Sequence, residues 1–217
     1  MTATRTLQML SITSALLSAG SIATLSLFDI PIIKSQPASR SLPMLRWLFS
    51  RGSHIYPTQC VLTSSGFASL AYTCLPATAT TLPIILSHAI KGKTGMYLAA
   101  ALLTLSIGPW TTLVMLPTNF ELIQRNEDLG GTRSQKSAEY RERTGQGKRN
   151  IEESTGGEGD VSQWTDLSGP QEKTARESSE KDDREVRQLM DKFAVLNCVR
   201  AVLMGVGGVV GLVAALS

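Results

Sequence analysis

The feature that most constrains this 217-residue chain is the distribution of its charges. Residues 6–28 hold 23 positions without Asp, Glu, Lys or Arg, residues 52–90 hold 39, residues 94–120 hold 27, and 201–217 is also uncharged. Segment 121–192 carries 17 of the 18 acidic residues and 13 of the 21 Lys/Arg. The rest of the chain has one acid, Asp29, and eight bases: Arg5, Lys34, Arg40, Arg46, Arg51, Lys91, Lys93 and Arg200. A single soluble domain places charges on every exposed face, so this pattern excludes one.

A helix needs about 20 mostly apolar residues to cross a bilayer. The uncharged runs place spans near 7–28, 56–76, 94–116 and 193–216. The expected fold is therefore all-α: a four-helix transmembrane bundle with a long disordered loop between helices 3 and 4. The run 52–90 is too long for one crossing. Pro76 and Pro83, with Thr78, Thr80 and Thr81, end or kink span 2 near 76, leaving 77–90 as a loop or a short interfacial helix. Span 1 has an alternative as a secretory signal with Ser18-Ala19-Gly20 at its cleavage site, but its apolar sequence continues to Phe28, which favours an uncleaved helix. Lys34, Arg40, Arg46 and Arg51 outweigh Arg5, Lys91 and Lys93, which favours a cytosolic first loop and lumenal termini.

Residues 124–190 are rich in Gly, Ser, Glu, Lys and Arg, with Tyr140 and Trp164 as their only aromatics. Such a segment is expected to be disordered, because it offers too little apolar surface to offset chain entropy. The domain organisation expected is helices 1–3 in 1–123, a polar insertion in 124–190, and helix 4 in 191–217. Residues 176–192 suit a charged helix leading into span 4, with Lys181 and Glu185 four apart. Deletion of 130–180 is expected to leave the fold intact.

Several chemistries find no support. Cys60, Cys74 and Cys198 all fall in expected spans, an odd number that suits small core residues and not a disulfide framework. No Cys-x-x-Cys or His-Glu-x-x-His occurs, so no dedicated metal site is expected. Gly205, Gly207, Gly208 and Gly211 lack the Gly-Lys-Ser/Thr of a phosphate loop and read as close helix packing, Gly207 and Gly211 forming GxxxG. No nucleic-acid partner is expected. The partners expected are the bilayer and a lipophilic small molecule.

Polar residues inside the spans carry the chemistry. Arg200 lies about two turns into span 4, with Asn197 three before it and Met204 four after it on the same face. An intramembrane Arg either faces a bundle interior or snorkels to the near interface, and both readings stand open. Span 3 ends in Gly108-Pro109-Trp110-Thr111-Thr112-Leu113-Val114-Met115-Leu116-Pro117-Thr118-Asn119. Pro109 removes a backbone donor and kinks the helix. Thr111, Met115 and Thr118 share a face, and Asn119 after Pro117 suits a helix cap. Spans 3 and 4 meet at one membrane level, so Asn119, Asn197 and Arg200 are expected to converge.

This string, with Leu122 after it and Asn197-x-x-Arg200 in span 4, resembles the signature of the anthrone oxygenase family. Arg51-Gly52 with Pro57 is similar to a weaker element of that family. Trp110 stands where Phe or Tyr is more usual, and the polar insertion is a departure. The resemblance extends over about 1–125 and 190–217. It implies small four-span membrane enzymes of fungal polyketide pathways, located in endomembranes (endoplasmic reticulum or vesicles). It also implies oxidation of an anthrone methylene to a quinone with O₂, with no flavin or metal. Such chemistry needs a base and a cation or hydrogen-bond donors for the oxyanion. The resemblance implies Arg200 and Asn119 as catalytic residues. Trp110, Thr111, Met115, Thr118, Asn197 and Met204 would line the substrate. No Asp, Glu or His lies mid-span, and Asp29, His54 and Glu121 are the nearest candidate bases. The competing reading is a non-enzymatic four-helix scaffold or small transporter.

Overall fold

The uncharged runs become long helices. A computed structural model describes residues 2–78, 81–157 and 159–217, with Leu82 described through its backbone alone. Ala79 and Thr80, in the connection expected after span 2, and Glu158, in the expected insertion, lie outside the described residues. Every regular element among the described residues is helical. Helix α1 (Ala3–Thr24) continues through a π-helical turn (Leu25–Asp29) into α2 (Ile30–Ile33). Helix α3 runs Ala38–Thr73, α4 Leu82–Ala89 and α5 Gly92–Leu105. Then follow α6 (Ile107–Trp110), a second π-helical turn (Thr111–Met115), and α7 (Leu116–Asp128). Helices α8 (Gln135–Thr144), α9 (Ile151–Gly156) and α10 (Glu180–Leu216) complete the chain.

Prolines and glycines set several boundaries. Pro109 cannot donate a backbone hydrogen bond, and α5 stops four residues before it. Pro83 and Pro117 each sit in the first turn of a helix, where the missing N–H costs nothing. Gly145 ends α8 in the left-handed conformation, with φ of 66°. The short helix allowed for within 77–90 is α4. The charged helix expected ahead of span 4 is the first part of α10, where Lys181 and Glu185 lie 3.8 Å apart.

Among the described residues, three helical stretches are long and apolar enough to cross a membrane: Ala3–Ile33, Gly92–Asp128 and Glu180–Leu216. Helix α3 is not among them, although a span near 56–76 was expected. Its uncharged part is rich in Ser and Thr, several of whose hydroxyls bond to carbonyls of their own helix. Ser64 Oγ donates to Val61 O (3.1 Å), Ser69 Oγ to Ser65 O (2.8 Å) and Thr73 Oγ1 to Leu70 O (2.8 Å).

The contacts divide the chain into two units. The first comprises Met1–Thr24, Tyr56–Thr112 and Asn197–Ser217. Here segments of α1, α3, α5 and α10 pack through small residues. The Ser14 hydroxyl donates to Gln59 Oε1 (2.6 Å) and lies 3.0 Å from Thr63 Oγ1, which ties α1 to α3. Gly66 of α3 faces Ser11 of α1 so closely that a Cβ would overlap the Ser11 hydroxyl. Contacts along α1 run backwards as those along α10 advance: Ile22 meets Asn197, Ala19 meets Gly205 and Ala15 meets Gly208, so the two are antiparallel. Phe67, Tyr97, Ala100 and Met204 form the centre of this core.

The GxxxG glycines do what packing requires of them. A Cβ on Gly207 would come within 2.7 Å of Thr104 Cγ2, and one on Gly211 within 2.6 Å of Phe67 Cζ. Gly211→Ala is expected to destabilise this unit by about 1–3 kcal/mol through overpacking. A thermal unfolding midpoint in detergent checks this, and an unchanged midpoint would show that Phe67 moves aside freely.

The second unit comprises Leu25–Ile55 and Leu113–Leu196. The expected disorder of 124–190 is not what the structure shows. The segment holds the end of α7, all of α8 and α9, and the start of α10. It packs on the charged first part of α3. Trp47 Nε1 donates to Ser168 O (2.9 Å), Thr174 N to Ser39 O (2.8 Å) and Ala38 N to Asp183 Oδ1 (2.7 Å). Phe49 and Phe193 stack edge-on with centroids 5.0 Å apart. The physical reason for the correction is charge pairing. Several acids and bases of 124–190 pair in the interior, Glu127 with Arg141 and Asp160 with Arg149, so a segment with few apolar residues still packs. Glu127, 1% exposed, accepts from both terminal nitrogens of Arg141, at 2.7 and 2.9 Å.

Candidate active site

Arg200 lies in α10 and is 8% exposed. Its terminal nitrogen Nη1 donates to Asn197 Oδ1 at 3.1 Å, one turn earlier on the same face. Asn197, fully buried, turns its amide nitrogen the other way and donates to Ile22 O in the last turn of α1 at 3.0 Å. One Asn side chain thus fixes the guanidinium and joins α10 to α1. The Arg200 guanidinium carbon lies 5.2 Å from the centre of the Tyr56 ring, a cation–π contact with α3. Arg200 Nε is buried with no hydrogen-bond partner among the described residues.

The electrostatics of this place are unusual. The first unit's segments contain no Asp or Glu at all. Arg200 accordingly makes no ion pair among the described residues, and its charge is met by an amide oxygen and a ring face. A desolvated cation without a counter-anion attracts any negative charge that reaches it more strongly than the same cation in water. Among the described residues the Arg200 side chain turns inward, against Asn197 and the Tyr56 ring of α3.

Met204, one turn beyond Arg200, is 1% exposed and belongs to the apolar core with Phe67 and Tyr97. Thr111 donates its hydroxyl to Ile107 O of its own helix at 2.7 Å. Trp110 is partly buried. Met115, Thr118 and Asn119 belong to the second unit. There Met115 is fully buried, and Thr118 Oγ1 and Asn119 Oδ1 are buried without hydrogen-bond partners among the described residues. Asn119 does not cap a helix, contrary to expectation. Helix α7 begins at Leu116, so Asn119 lies inside its first turn, and the Met115 that precedes the helix makes no side-chain cap.

The expected bases are distributed differently. His54 stacks on Trp164 with ring centroids 3.9 Å apart. Glu121 is half exposed and lies 3.7 Å from Arg125, as a solvated face residue would. No group of three metal-ligating side chains occurs among the described residues. Sequence reasoning missed Tyr56. Its only signal was an aromatic residue at the start of the long uncharged run, and nothing in α3 alone pairs it with a residue of α10.

Residues 45–210 match the anthrone oxygenase family. That range is well over half of the chain. The chain belongs to the anthrone oxygenase family. The family match begins inside α3 and takes in Tyr56, Trp110, Asn119, Asn197 and Arg200. It also runs across 124–190, which the resemblance in the sequence had set aside. No curated protein and no solved structure matches the chain.

Proposed function

We propose that this anthrone oxygenase family member is an integral membrane, cofactor-independent oxygenase that converts an anthrone-like aromatic polyketide to a quinone with O₂. In this reading the chain crosses an endomembrane four times, the uncharged part of α3 being the fourth crossing. The observation that carries the proposal is Arg200: a buried guanidinium in a unit without a single carboxylate.

The chemistry follows from that charge. An anthrone carries a methylene between two aromatic rings, opposite a carbonyl. Loss of one methylene proton gives a carbanion whose charge resides largely on the carbonyl oxygen. Arg200, held by Asn197, stabilises that oxyanion. The electron-rich carbon then bonds to one oxygen atom of O₂, and protonation gives a hydroperoxide. Cleavage of the O–O bond with loss of the second methylene hydrogen leaves a carbonyl and releases water. All four electrons taken up by O₂ come from the substrate, so no external reductant enters. Trp110, Thr111 and Met204, all of the first unit, are assigned as the apolar and hydroxyl lining for a flat aromatic.

Membranes containing the protein are expected to convert an added anthrone to its quinone with one O₂ consumed per quinone and no requirement for NADPH. A rate no faster than spontaneous oxidation in membranes lacking the protein rejects this activity.

A further inference from the structure

Away from Arg200, the first unit has a groove on its surface. Helices α1 and α10 run antiparallel, and the groove between them is lined by Arg5, Gln8, Met9 and Ile12 of α1 and by Leu212 and Ala215 of α10. The four α1 residues have the spacing of one helix face. Met9 and Leu212 are exposed along the groove, and Ile12 is buried. Ile22, which accepts from Asn197, lies ten residues beyond Ile12, a rise of about 15 Å. The proposed reaction uses none of the groove residues.

The lining is graded along its length. Arg5 and Gln8 form the polar end, and Gln8 Nε2 donates to Tyr97 Oη of α5 at 2.8 Å. Arg5 is exposed, and the segments of this unit contain no Asp or Glu with which it could pair. Lys93, also exposed, stands one turn before Tyr97 on α5, so a second cation lies at the same end of the unit. From Arg5 to Ile12 the helix rises about 10 Å, against about 15 Å of hydrocarbon in one leaflet. Arg5 thus stands near the end of a stretch apolar enough to cross a membrane, where a cation meets the headgroups, and the apolar lining leads inward from it.

We propose that this groove binds an acidic phospholipid, with its phosphate on Arg5 and the upper part of one acyl chain along Met9, Ile12, Leu212 and Ala215. Charge selects the headgroup, because a guanidinium with no carboxylate in its unit, and with Lys93 at the same end, attracts a net negative lipid over a zwitterionic one. Shape selects a lipid over free phosphate, because phosphate alone would meet Arg5 and leave the apolar length unfilled. A second copy is disfavoured on the same ground: the first unit of that copy would bring no carboxylate to Arg5. The family reaction does not depend on this site, so the two stand or fall separately.

The test uses the whole protein purified in a neutral detergent. Dioleoyl-phosphatidylglycerol is expected to raise the unfolding midpoint saturably by about 2–4 °C, the shift of a ligand several-fold above its dissociation constant in a protein of this size. Dioleoyl-phosphatidylcholine is expected to leave it unchanged. Arg5→Gln should remove the difference between the two lipids, and Ala215→Leu, which fills the groove and keeps every charge, should remove the response to phosphatidylglycerol. An equal response to both lipids, a response to glycerol 3-phosphate without acyl chains, a preference that persists in Arg5→Gln, or no response at all each overturns the proposal. So does a two-copy species in native mass spectrometry that Ala215→Leu splits, since another copy would then fill the groove. If Ala215→Leu does not fold, Arg5→Gln decides alone, because Arg5 is exposed and its replacement leaves the packing untouched.

Discussion

Arg200→Ala is expected to lower the rate of anthrone oxidation by about 10²–10³-fold while the protein still inserts in membranes. The magnitude is that of removing one preorganised donor from an oxyanion site. The arginine contributes more to the transition state than to the substrate, because the charge on the carbonyl oxygen develops only as the methylene proton leaves. Insertion should survive, since Arg200 has no carboxylate partner to orphan and its removal relieves a desolvated cation. Arg200→Lys keeps the charge and loses the planar fork over Tyr56, so its rate is expected to fall between the two. Quinone formation and O₂ uptake measured on membranes with matched protein content provide the readout. A rate unchanged in Arg200→Ala removes Arg200 from the site and with it the charge argument for the activity.

Glu127→Ala is expected to destabilise the second unit by about 3–5 kcal/mol, the cost of breaking a buried ion pair by removing one partner. Four donors converge on this carboxylate: Arg141 Nη1 and Nη2, Ser154 Oγ at 2.7 Å, and the backbone N–H of Arg149 at 3.4 Å. The substitution would leave Arg141 buried without the carboxylate it pairs with. In a chain of this size the midpoint of thermal unfolding should fall on the order of 10 °C. Limited proteolysis should newly cut within 130–180, because local opening exposes that segment first. Were the segment unstructured, Glu127→Ala would alter neither observable. The same packing reverses the expectation for removing 130–180. That deletion takes away Arg133, Arg141, Arg149 and Ser154 together and leaves Glu127 and Arg46 without their partners.

How much was legible in advance depends on whether the signal is local. Uncharged runs long enough to span a bilayer are a local property, and they foretold α1, α5 to α7, and the apolar end of α10. Proline sites were partly legible: the irregularity around Pro109, the helix restart at Pro117 and the end of α3 at Thr73, ahead of Pro76, follow from a missing N–H and a fixed φ. The spacing of Asn197 and Arg200 placed both on one face, and they bond at 3.1 Å. The glycines of α10 were correctly read as packing.

What the sequence by itself determined, then, was an all-helical chain with helices apolar enough to cross a membrane, together with its family. Helical period and transfer free energy act over a few turns of one segment, so both can be read without knowing the partner. Tertiary structure alone decided the rest. It set Tyr56 of α3 against Arg200 of α10, and it turned the Asn197 amide onto α1. It also folded the polar segment around buried ion pairs. Composition counts charges as cost, whereas the free energy of a buried charge depends on which opposite charge lies within about 3 Å of it, and that distance exists only once residues far apart in the chain have met.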